Sequence, residues 1–136
     1  MSQIILDDQL FDVEVLIPIA RWITVQRLRD LRPNVVIVIK DERVPELLRR
    51  LRQPTFVTID MGFWNRGLRD AKFCILCFAL RNDEQDQLPD LLRRVLRVPE
   101  FHIKASRMGK VARISTSDIQ YWKLKDERLN RIKWGK

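Results

Sequence analysis

The chain has 136 residues, enough for one domain with a real core and too few for two comfortable ones. Apolar residues make up 46% and charged residues 32%, a balance that excludes a disordered chain and reads as globular. The net charge of +8 is uneven: residues 97–136 hold 11 Lys/Arg against 4 Asp/Glu, a local +7, which leaves +1 for residues 1–96.

A basic end beside a nearly neutral body suits a polyanionic partner as well as it suits a solvated surface. No apolar run approaches the ~18 residues of a membrane span, so no membrane is expected. Met1-Ser2-Gln3 lacks the basic region and apolar core of a secretion signal, and a cytoplasmic location is the default expectation.

Residues 3–7 read as a short buried strand that stops on Asp7-Asp8. Residues 10–20 are apolar with Pro18 and read as a loop with a poor helix. Residues 22–28 predict a second strand, Arg32-Pro33-Asn34 a turn, and Val35-Val36-Ile37-Val38-Ile39 a third strand. Val44, Leu47, Leu48 and Leu51 recur at helical spacing, with Pro45 in the first turn and Asp41 or Glu42 as candidate caps. Residues 55–60 predict a strand that stops on Asp60, and 61–70 an irregular stretch with a short helical turn. Residues 73–79 are an apolar strand, 82–87 a polar loop, and 88–96 a second amphipathic helix. Residues 111–115 and 119–123 flank Thr116-Ser117-Asp118 and read as a C-terminal β-hairpin. For 125–136 a helix with Leu129 and Ile132 and a loose tail stand side by side.

This order predicts an α/β fold in three layers, with a mainly parallel sheet and helices on both faces. One domain over 1–124 would carry a basic C-terminal tail over 125–136.

Cys74 and Cys77 have the CxxC spacing, but a zinc site needs about four ligands and no second such pair exists. Their setting is a strand, where positions three apart face opposite sides, so they read as buried structural thiols. His102 is the only histidine, which excludes any mechanism that needs two.

The acids carry more. If the strands ending at Asp7 and Asp60 are parallel neighbours, their carboxylates emerge at the carboxyl edge of one sheet, where open α/β sheets bind ligands. Asp41 precedes the first amphipathic helix and adds a third acid. Mg²⁺ and Mn²⁺ favour such oxygen donors, and Mg²⁺ takes one or two carboxylates plus water and substrate phosphates. Metal-assisted phosphodiester hydrolysis needs neither histidine nor a nucleophilic serine. Aspartate also ends strands for structural reasons, because it bonds nearby backbone.

Ile5-Leu6-Asp7-Asp8-Gln9-Leu10 resembles the LLDENL opening of a small family of PIN-like domains, and Phe56-Val57-Thr58-Ile59-Asp60-Met61-Gly62-Phe63 resembles its LVTxDxDF signature. The resemblance spans roughly residues 4–122. It implies an α/β ribonuclease dependent on Mg²⁺ or Mn²⁺, of the kind that serves as the toxin of a toxin–antitoxin pair. Carried over singly, Asp7 matches the first metal-binding Asp, Asp8 takes the place of the neighbouring Glu, Asp60 matches the first Asp of the DxD motif, and Asp41 resembles the acid before the middle helix. The second Asp of that motif falls on Gly62.

Trp64, Tyr121, Trp122 and Trp134 lie near cations in the sequence, a mixture suited to stacking and phosphate contacts on single-stranded RNA. Arg66, Arg69, Lys123, Lys125, Arg128 and Lys133 are the candidate contacts, with Arg66 and Arg69 expected to flank the acidic cleft. Trp122 is expected to pack at the core edge and Trp134 to be exposed. The expected function is a metal-dependent endoribonuclease with Asp7, Asp41 and Asp60 catalytic. The rival is a catalytically impaired module that binds nucleic acid or an acidic protein. The leucine-rich helices add an antitoxin or a homodimer as expected partners.

Overall fold

Ile4, Ile5 and Leu6 must each bury a side chain although successive residues point to opposite faces, which requires a sheet covered on both sides. That is the arrangement in the computed structural model, which describes residues 3–31 and 41–134. The expected strand over 35–39 lies outside the described residues, as does the side chain of Asp41.

Seven strands form one sheet: β1 (Gln3–Leu6), β2 (Val25–Arg27), β3 (Pro54–Thr58), β4 (Cys74–Phe78), β5 (Val111–Ile114), β6 (Asp118–Trp122) and β7 (Asn130–Lys133). Their order is β2-β1-β3-β4-β5-β6-β7. The first five pair in parallel, and β6 and β7 add antiparallel. The fold is therefore α/β with a mostly parallel sheet.

Every residue of β3 and β4 is buried, as the central strands of a parallel sheet require. One apolar cluster gathers Ile4, Leu6, Val57, Leu76 and Ala112 under Val15, Ile19, Leu88, Leu92 and Phe101. The other gathers Ile5, Phe56, Ile75 and Val111 under Val44, Leu48, Phe63 and Phe73. Cys74 belongs to the first cluster and Cys77 to the second, both as free buried thiols.

Helices α1 (Ile17–Ala20), α2 (Val44–Arg49), α3 (Leu88–Val95), α4 (Pro99–His102) and α5 (Lys104–Arg107) are short. None of the described helices is long and apolar enough to cross a membrane. Several boundaries differ from the sequence reading. The stretch expected as a loop before α1 is a wide helical turn (Asp12–Leu16), and β2 is only three residues before a 3₁₀ turn (Leu28–Leu31). Helix α2 begins at Val44, and its N-cap residue, Arg43, makes no side-chain cap. The polar loop 82–87 is a 3₁₀ helix leading into α3, entered where the Arg81 N–H donates to the Glu84 carboxylate at 2.8 Å.

The end of the chain departs most. Residues expected as a tail or helix include β7, whose Ile132 and following Trp134 pack on the first cluster. Trp134, expected exposed, is half-buried: its indole N–H donates to the Ser115 carbonyl at 3.2 Å and the Arg94 guanidinium lies over its ring.

Candidate active site

Strand β1 sits inside the sheet with β2 on one side and β3 on the other. From β1 the chain leaves through Val15 and Ile19 on one face, and from β3 it leaves through Phe63 on the other. The two exits diverge at the carboxyl ends of β1 and β3, the kind of switch point where open α/β sheets bind ligands. Asp7 follows β1 and Asp60 follows β3 within two residues, so the sequence expectation for these two acids holds in their placement.

Thr58, the last residue of β3, joins them. Its hydroxyl donates to Asp7 Oδ2 at 2.6 Å and accepts the Asp60 backbone N–H at 3.0 Å. The Gln9 amide also donates to Asp7 Oδ2 at 3.2 Å. Asp7 is only 8% exposed, yet its second oxygen takes no hydrogen bond from the described residues and is not sealed from solvent. Asp60 Oδ1 accepts the Gly62 N–H at 2.8 Å, capping the 3₁₀ turn Met61–Phe63 and leaving Oδ2 for another partner. Asp8 Oδ1 accepts the Arg29 N–H at 3.0 Å, tying it to the turn after β2.

The two central acids act on a common neighbour. Burial raises the Cys77 thiol far above its ordinary value, and the charges of Asp60 and Asp7 raise it further. Cys74, remote from this edge, is pushed up to about 12, mainly by burial. Neither thiol is a nucleophile at neutral pH.

Two further residues that sequence reasoning missed hold the Asp7 loop. Buried Gln85 accepts the Phe11 N–H at 2.8 Å and donates to the Gln9 carbonyl at 3.4 Å. Arg27 donates to the Leu10 carbonyl at 3.2 Å and pairs with Asp12. Gln85 lies in a polar run with no local signal, and its contacts with the Asp7 loop reach across more than seventy residues.

The oxygen-only donor set fits Mg²⁺ or Mn²⁺, which take one or two carboxylates and complete their shell with water or phosphate. Among the described residues no three His, Cys, Asp or Glu side chains gather into a fuller cage. Asp41 lies in a 3₁₀ turn before α2, and its side chain is outside the described set. At Gly62, where the resemblance implies a further acid, an added Cβ would sit 3.1 Å from Asp60 Oδ1. A side chain there would press on the carboxylate that the glycine N–H now holds.

The expected basic contacts divide. Residues 61–70 cross the sheet face from the carboxyl end of β3 to the amino end of β4, carrying Arg69 away from Asp60. Arg69 donates to the Arg66, Lys123 and Asp126 carbonyls at 2.7, 2.9 and 2.8 Å, so it anchors one loop to another. Strand β6 runs antiparallel and Trp122 lies opposite Val111, which sets Lys123 and the following turn at the amino edge. Lys123, Lys125 and the 93%-exposed Arg128 therefore lie at the opposite end of the sheet from Asp7. Lys133 lies opposite Asp118 and belongs to the carboxyl edge. Arg66 sits between, its guanidinium 5.5 Å from the Trp122 ring centre and 3.6 Å from Glu127.

No family model, curated protein or solved structure matches this chain.

Proposed function

We propose that this chain is a three-layer PIN-like domain that cleaves single-stranded RNA with a Mg²⁺ or Mn²⁺ ion held by Asp7 and Asp60. The observation that supports this reading most is the Asp7–Thr58–Asp60 unit at the divergence of β1 and β3. A bound divalent ion supplies polarisation of a phosphate and a more acidic water. The chain's own residues prepare for it. Thr58 and Gln9 fix one oxygen of Asp7 and leave the other open, and Gly62 fixes one oxygen of Asp60. Asp8 adds negative charge beside Asp7 in the sequence, and the basic excess of 97–136 draws the polyanion in.

Asp7→Asn and Asp60→Asn should each abolish Mn²⁺-dependent cleavage of a single-stranded RNA while leaving the circular dichroism spectrum unchanged. Cleavage that survives both substitutions overturns the assignment.

Gly62 favours a second reading, a domain that keeps RNA binding without cleavage, because the site has one carboxylate fewer than the motif it resembles. RNA binding indifferent to metal and to Asp7→Asn, together with no cleavage, selects that reading.

A further inference from the structure

On β5, β6 and β7 one face is apolar and the other is not. Ala112, Ile114, Ile119 and Tyr121 belong to the first core cluster, and Ile132 packs on it. By alternation Arg113, Gln120, Trp122, Arg131 and Lys133 point the other way. Arg113 lies opposite Gln120, Gln120 opposite Arg131, and Lys133 opposite Asp118. At the amino-edge end of this face Trp64 and Trp122 form a ring pair with centroids 6.3 Å apart, and Arg66 lies over Trp122.

The charges on this face are unequal. Asp118 is buried under Arg131, and Glu127 faces Arg66. Neither the Arg113 nor the Lys133 side chain has a hydrogen-bond or ion-pair partner among the described residues. A half-buried guanidinium with no direct partner among the described residues carries an electrostatic cost that an anionic ligand lowers. The tryptophan pair supplies flat surface at one end, and base stacking on such rings tolerates any sequence.

We propose that this face, from Trp122 through Arg113 and Gln120 to Lys133, docks single-stranded RNA. Phosphates meet Arg113, Arg131 and Lys133, and a base stacks on the tryptophan pair. The choice of RNA among polyanions rests on the cleavage reading of Asp7 and Asp60. Docking itself needs no metal, and Arg113, in register with Cys77 and Thr58, stands on the sheet face next to these acids.

The test is fluorescence anisotropy of a labelled 12-nucleotide single-stranded RNA with the full chain in EDTA, so that no cleavage intervenes. Arg113→Gln combined with Lys133→Gln should weaken binding about tenfold and reduce the salt slope by roughly one to two. Trp122→Leu should weaken it about tenfold. Arg97→Gln, which removes one exposed charge elsewhere, should change it by less than about twofold. Each variant's melting temperature reports folding, and Arg66→Gln provides a fully surface variant with the same expected direction. Unchanged binding in the face variants, an equal loss in Arg97→Gln, tighter binding to duplex RNA or to single-stranded DNA, or complete displacement by polyglutamate would each overturn the proposal. A chain that binds through this face yet never cleaves with Mn²⁺ removes the cleavage reading alone.

Discussion

The hydroxyl of Thr58 touches both sides of the acidic unit, donating to Asp7 and accepting from the Asp60 backbone. Valine has nearly its shape and neither hydrogen-bonding capacity. Thr58→Val leaves a buried carboxylate oxygen with Gln9 alone and a backbone N–H without its acceptor. The expected cost is about 1–2 kcal/mol in urea denaturation, with a larger loss of Mn²⁺-dependent cleavage than Thr58→Ser shows. If valine matches wild type in both measurements, the hydroxyl does not position the acids. Asp7 and Asp60 were legible in the sequence because each ends an apolar run. The role of Thr58 was not, because its partner is 51 residues away and one sequence carries no record of which strands are neighbours.

Elements were legible in proportion to their length and apolar contrast. The runs 55–60 and 73–79 announced β3 and β4, and the spacing of Leu88, Leu91, Leu92 and Val95 announced α3. Four-residue helices such as α5 hold barely one turn and show no period. Their stability comes from contacts such as Arg107, 1% exposed, which donates to the Thr55 hydroxyl at 2.9 Å and the Phe101 carbonyl at 3.1 Å. Strand β7 was misread because Leu129 and Ile132 suggest helical spacing while Ile132 and Trp134 carry the strand alternation. The link between β6 and β7 has a pH signature. Burial opposes the charge of Asp118, but hydrogen bonds from Ser115, Arg131 and Gln120 outweigh it and hold the carboxyl below its ordinary 3.8. A depressed folded value means that this stabilisation is present above 3.8 and is lost as pH falls through the depressed value. Asp118→Asn should therefore melt earlier than wild type at pH ~6 and converge on it in stronger acid. Paired thermal melts across that range decide the matter, and a gap that stays constant in acid would mean that the carboxylate's charge is not what joins the strands.

At the scale of the molecule, the question is whether the last dozen residues are an appendage or part of the sheet. The reading as a tail predicts that a chain ending at residue 124 folds and melts as the full chain does. The structure predicts otherwise, for three reasons that act together. Removing β7 takes Ile132 and Trp134 off the first core cluster and uncovers the edge of β6 at Ile119 and Tyr121. It takes away the Asp126 carbonyl that accepts from Arg69, so the crossover at 61–70 loses one of its anchors. It also leaves Asp118 buried without Arg131. The two half-buried apolar side chains alone are worth about 3 kcal/mol, or roughly 10 °C in melting temperature for a domain of this size. The bared edge strand offers unpaired backbone to other copies. The 1–124 chain should thus melt at least that much earlier and should self-associate in light scattering where the full chain does not. A monomeric truncation with an unchanged melt would mean that β7 adds no stability to the sheet. The RNA-docking face proposed for β5–β7 would then lose the strand that carries Arg131 and Lys133 as a fixed surface.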